Sequence, residues 1–95
     1  MRKDGAVLKL KGEFVQREIA GEVILVPVGQ TALDFNGIIT LNQTGVEIWK
    51  GIREEKNREQ ILEQLLEQFE VSRETAQADM ETFLQYLNEN GLIEQ

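Results

Sequence analysis

Seventeen Asp and Glu residues dominate the chemically active side chains of this 95-residue sequence, which has ten Lys and Arg, no Cys and no His. Carboxylates can do two kinds of chemistry. A facing pair can run glycoside hydrolysis, and a cluster can hold calcium or magnesium through oxygen. The spacing favours neither. Glu54, Glu55, Glu63, Glu67, Glu70 and Glu74 fall on the polar faces or junctions of predicted helices, and no D-x-[DN]-x-[DN]-G loop occurs. They read as a solvated acidic surface. Without histidine the commonest general base and metal ligand is missing, and without cysteine there is no thiol nucleophile or zinc ribbon. Ser72, the single serine, has no histidine to activate it. Neither G-x-G-x-x-G nor G-x-x-x-x-G-K-[ST] is present. The chain is expected to bind and not to catalyse, with no cofactor and no metal.

The charge is unevenly placed. Residues 1–41 hold five basic and five acidic residues, whereas residues 42–95 hold five basic and twelve acidic ones, so the net charge of −7 lies in the second part. A phosphate-binding protein needs the opposite sign. The start, Met1-Arg2-Lys3-Asp4-Gly5, is followed by no apolar signal-peptide core. The uncharged run from Val23 to Leu33 is interrupted by Pro27 and Gly29 and is too short to span a bilayer. A cytoplasmic protein with no membrane partner is expected.

One small domain fits the length. Residues 1–12, with Gly5 and Gly12, are expected to be a loose segment before a domain over residues 13–95. Phe14 to Ile19 mixes apolar and charged residues as a half-exposed strand does, and Ala20-Gly21 is a turn signal. Val23 to Val26 is a β-branched strand that Pro27 closes. Residues 29–35 read as a loop, Asn36-Gly37 as a tight turn, and Ile38 to Leu41 as a third strand. Helices follow. Asn42 caps the first, which carries Val46, Trp49 and Ile52 on one face. Asn57 caps the second, completed by Gln60 in a capping box. Ser72 caps the third, whose stripe of Ala76, Met80, Phe83, Leu84 and Leu87 ends at Gly91 in a left-handed cap that folds Leu92 back. Three strands of an antiparallel sheet followed by three helices, the last two separated by a short break, predict an α+β, winged helix-turn-helix-like fold.

A helix-turn-helix can read DNA through its second helix. Here residues 73–90 carry one Arg against Glu74, Asp79, Glu81 and Glu89, and a duplex would repel them. Tyr86 lies outside the apolar stripe, on a strip with Asp79 and Thr82, and is either a contact residue or an isolated surface ring. The strand Ile38 to Leu41 is short, apolar and uncharged. In a plain meander it forms an edge, which is a hazard unless covered or used. It can accept a peptide as an added strand, or be covered by the first strand, the N-terminal segment or a second copy.

Several stretches together resemble the PqqD family: Arg17-Glu18-Ile19, Gly21-Glu22, Leu25-Val26-Pro27, Gly37 to Thr40, Leu41-Asn42-Gln43-Thr44-Gly45 and Ile48-Trp49, then Ile61 to Phe69, Ala78-Asp79, Phe83-Leu84 and Gly91-Leu92-Ile93. Members of this family are RiPP recognition elements, winged helix-turn-helix peptide chaperones. They bind the leader of a ribosomally made precursor peptide and present it to a modifying enzyme, often a radical SAM protein. The resemblance implies a leader lying along the third strand against the third helix. Gly37, Ile38, Ile39 and Thr40 would form one wall, and Asp79, Met80, Phe83 and Tyr86 the other. A winged-helix regulator or adaptor that binds another protein or nucleic acid is the rival reading.

The charge of the last helix yields a first prediction. A short DNA duplex at physiological salt should show no retarded band with this protein in a mobility-shift assay. A retarded band that weakens steeply as salt rises would overturn the exclusion of nucleic acid.

Overall fold

Ala20 and Gly21 reverse the chain with φ of 53° and 84°, the left-handed pair that a two-residue type I′ hairpin demands. In the computed structural model, which describes residues 8–35 and 37–94, this turn joins β2 (Phe14–Ile19) to β3 (Glu22–Pro27). The two strands pair antiparallel from Ile19↔Glu22 to Phe14↔Pro27. β3 also pairs antiparallel with β4 (Ile39–Leu41), through Val23↔Leu41, Ile24↔Thr40 and Leu25↔Ile39, in the order β2-β3-β4. The expected three-stranded sheet is therefore present, with β4 beginning at Ile39 instead of Ile38. Asn36 of the expected turn lies outside the described residues.

Two parts of the chain differ from expectation. The stretch read as a loop contains α1 (Gln30–Asp34). Its Thr31 is buried, and the Thr31 hydroxyl accepts the Glu13 backbone N–H at 2.7 Å. The second difference concerns the segment 1–12. Its residues 1–7 lie outside the described residues, but the rest is not loose. Leu8 is buried in the core, and β1 (Lys9–Leu10) pairs antiparallel with β5 (Ile93–Glu94) in a small second sheet. The Lys11 N–H donates to the Leu92 carbonyl at 2.7 Å. Burial of Leu8 stabilises by about 1.5–3 kcal/mol, enough to tie the segment to the opposite end of the chain.

The helices are α2 (Gln43–Arg53), α3 (Arg58–Gln68) and α4 (Arg73–Glu89). Their starts follow from the capping residues. The Asn42 side chain accepts the Gly45 N–H at 2.7 Å, Asn57 and Gln60 form a reciprocal capping box, and the Ser72 hydroxyl accepts the Thr75 N–H at 3.1 Å. α4 stops in a Schellman motif: Gly91 has φ 71°, and the Leu92 N–H donates to the Leu87 carbonyl at 2.8 Å. Arg58 ties α3 to α4 through Glu81 at 2.8 Å. The core joins Leu25, Ile39 and Leu41 of the sheet to buried residues of all three helices. Trp49 packs edge-to-face on Phe14, with ring centroids 5.7 Å apart.

α2 and α3 cross closely because Gly51 is buried against Ile61. A Cβ on Gly51 would stand 2.7 Å from Ile61 Cγ1, and Ile61 is fully enclosed. Alanine gains up to about 1 kcal/mol in helix propensity, but overpacking costs about 1–3 kcal/mol. In denaturant titration Gly51→Ala should therefore lower stability, by up to about 2 kcal/mol once the full propensity gain is subtracted. A variant as stable as the parent would show that Ile61 has room to yield.

Candidate functional site

The backbone of β4 decides what its outer side can do. Next in register beyond Phe14↔Pro27, the Val28 N–H donates to the Glu13 carbonyl at 3.0 Å. Polar groups of an antiparallel strand alternate in direction, so Glu22, Ile24, Val26 and Val28 turn theirs towards β2. The hairpin gives the same answer, since the residues that close a two-residue turn, Ile19 and Glu22, form a hydrogen-bonded pair. Val23 and Leu25 consequently turn their N–H and C=O groups towards β4, where they meet Leu41 and Ile39. Thr40 lies opposite Ile24 and directs its N–H and C=O away from the sheet. The donor and the acceptor of Thr40 are therefore two backbone groups open to a partner. Neither the first strand nor the described part of the N-terminal segment covers this edge: β2 lies on the far side of β3, and Lys9–Leu10 pair with β5.

The side chains alternate as well. Ile39 and Leu41 are buried below the sheet, while Thr40 is exposed. Beside the open edge runs a groove of about 880 Å³ between β4, the start of α2 and the outer face of α4. Val23, Val46 and Ile48 line its inner part. Asp79, Thr82, Phe83 and Tyr86 form the wall from α4, at the i, i+3, i+4, i+7 spacing of a single helix face. Ile38 and Tyr86, on opposite walls, are 54% and 40% exposed.

The structure brings together Ile38, Ile39, Thr40, Asp79, Phe83 and Tyr86 around this groove. Gly37 is exposed at the approach to β4 and is not part of the lining. Met80 does not belong to the wall. It is 2% exposed and packed in the core with Ala76, Leu84 and Leu87. One residue of helix is about 100° of rotation, so Met80 faces the interior while its neighbour Asp79 faces the groove. Thr82 occupies the place expected of Met80, and its position on one strip with Asp79 and Tyr86 already carried that signal. Glu22 and Val23 also line the groove but come from the middle strand, which no local pattern marks. Gly45 lies 2.7 Å from its cap at Asn42, and a Cβ there would stand 3.4 Å from Leu41 Cδ2, so α2 starts close against β4. No group of three or more acidic side chains able to hold a metal occurs among the described residues, and no helix among them is long and apolar enough to cross a membrane.

Comparison with known proteins converges on the same frame. A family model described as coenzyme PQQ synthesis protein D (PqqD) matches residues 22–93, from β3 to β5. The chain belongs to the PqqD family. Among solved structures it is similar to TbiB1 in complex with the TbiA(beta) leader peptide, at 27% identity and a TM-score of 0.70, covering 90% of this chain and 94% of that one. None of the curated proteins matches. The matched span includes both walls of the groove, so the PqqD-family fold is the part of the chain that builds it.

The direction of the β4 backbone predicts how the strand tolerates proline, which removes a donor. Ile39→Pro and Leu41→Pro each break a bond to β3 and should abolish the folded circular-dichroism signal or lower its melting point markedly. Thr40→Pro should remain folded, because its N–H serves no bond within the sheet. Unfolding of Thr40→Pro together with a native Ile39→Pro would reverse the parity.

Proposed function

We propose that this PqqD-family chain is a RiPP recognition element, a non-catalytic chaperone that binds the leader of a ribosomally made precursor peptide as a fourth strand of its sheet. The observation that carries this reading is the outward N–H and C=O of Thr40 beside an apolar groove. An extended peptide gains backbone bonds on one side and places alternate side chains between β4 and α4. The similarity to TbiB1, whose structure holds a leader peptide, supports it. Ile38, Ile39, Thr40, Asp79, Phe83 and Tyr86 are the contact residues in this reading, with Thr82 added. Presentation of the bound precursor to a modifying enzyme, such as a radical SAM protein, follows from the family. A winged-helix regulator of nucleic acid is disfavoured by the exposed acids Glu74, Asp79 and Glu89 on α4.

The experiment uses the leader of a short precursor encoded beside the gene for this chain, with binding measured by calorimetry. Thr40→Pro should bind about 1–3 kcal/mol more weakly than the parent, since the leader carbonyl opposite residue 40 loses its donor. Unchanged affinity in a folded Thr40→Pro protein would remove strand addition as the mechanism.

A further inference from the structure

Among the described residues, the groove is lined by carboxylates and no cation. Its lining includes Glu22 on the sheet side and Asp79 on α4, but no Lys or Arg. Both acids are exposed, and neither forms an ion pair or side-chain hydrogen bond among the described residues. Three cations of the helical part are paired with other acids, Arg58 with Glu81, Arg73 with Glu59 and Glu63, and Lys56 with Glu54, and Lys50 and Arg53 are not part of the groove lining. The same lining includes the apolar surfaces of Val23, Val46, Phe83 and Tyr86. An acidic peptide entering here would meet like charge on both walls. A lysine or arginine can instead lay its aliphatic stem along this surface, bring its head to a carboxylate and stack on an aromatic face.

We infer that the groove selects peptides carrying a lysine or arginine next to an apolar anchor, with Glu22 and Asp79 as the specificity residues that read the charge. This rests on the strand-addition reading and names the class of peptide it takes. The anchor supplies retention, because it is the part that leaves water. The exposed charge pairs supply discrimination and speed of encounter, since such pairs are individually weak and act mainly on the association rate.

The test uses a displayed library of short random peptides, selected in parallel on the parent chain and on Thr40→Pro. Peptides retained by the parent and lost on Thr40→Pro are edge-dependent binders. Among them Lys and Arg should be enriched, and Asp and Glu depleted, beside an apolar residue. One such peptide should bind the double variant Glu22→Gln, Asp79→Asn about two- to tenfold more weakly at low salt. Selection on that variant should keep the apolar preference and lose the basic one. Edge-dependent binders without a basic preference, or with one that survives the double substitution, would overturn the charge proposal and leave strand addition standing. A library that yields no edge-dependent binder would overturn both. A concentration-dependent dimer abolished by Thr40→Pro would assign the edge to a second copy and likewise overturn the proposal.

Discussion

A strand in an antiparallel sheet can bond through every second residue on one side only, and this alternation governs the site. It begins at the two-residue turn Ala20-Gly21, which makes Ile19 and Glu22 a bonded pair. From there the direction of each backbone group along β3 is set, and the register Ile24↔Thr40 carries it to β4. Thr40 has no bonding role inside the sheet. A one-residue shift in register would turn its polar groups inwards and send Ile39 and Leu41, now buried, to the other face.

The second wall depends on packing instead of hydrogen bonding. α4 presents two seams separated by one residue. Ala76, Met80, Leu84 and Leu87 are buried, while Asp79, Thr82, Phe83 and Tyr86 line the groove. Phe83 is half-buried and packs against the core, so the groove wall is anchored by the interior it borders. The close crossing of α2 and α3 at Gly51 and the Arg58–Glu81 pair set where α4 lies. The first comes from a missing side chain and the second from a partly exposed ion pair, so the steric term is the stronger constraint.

Charge is distributed to match. Arg58 and Arg73 pair with Glu81, Glu59 and Glu63, while Glu22 and Asp79 form no ion pair among the described residues. A helix-turn-helix frame with this charge repels phosphates. It can still take a polypeptide, whose backbone is neutral and whose hydrogen-bonding groups match those of a sheet edge.

Much of this was legible in the sequence, and the reason is locality. The caps at Asn42, Asn57 and Ser72, the Schellman ending at Gly91 and the turn at Ala20-Gly21 each depend on residues within a few positions of one another, and all appear as read. The family was legible because its pattern is spread through these same elements. The rest depended on residues distant in the chain. The pairing of Lys9–Leu10 with Ile93–Glu94 joins the two ends, and nothing in either dipeptide specifies the other. α1 is held by Thr31 reaching back to Glu13, a contact with no periodicity. Met80 lies in the apolar stripe and Thr82 on the strip with Asp79 and Tyr86, so the spacing separates them; that the second strip faces β4 depends on the placement of α4. The parity of the edge is the clearest case. Ile38, Ile39, Thr40 and Leu41 alternate under either assignment, and it took the register of two neighbouring strands to establish which of their backbone groups remain open to a partner.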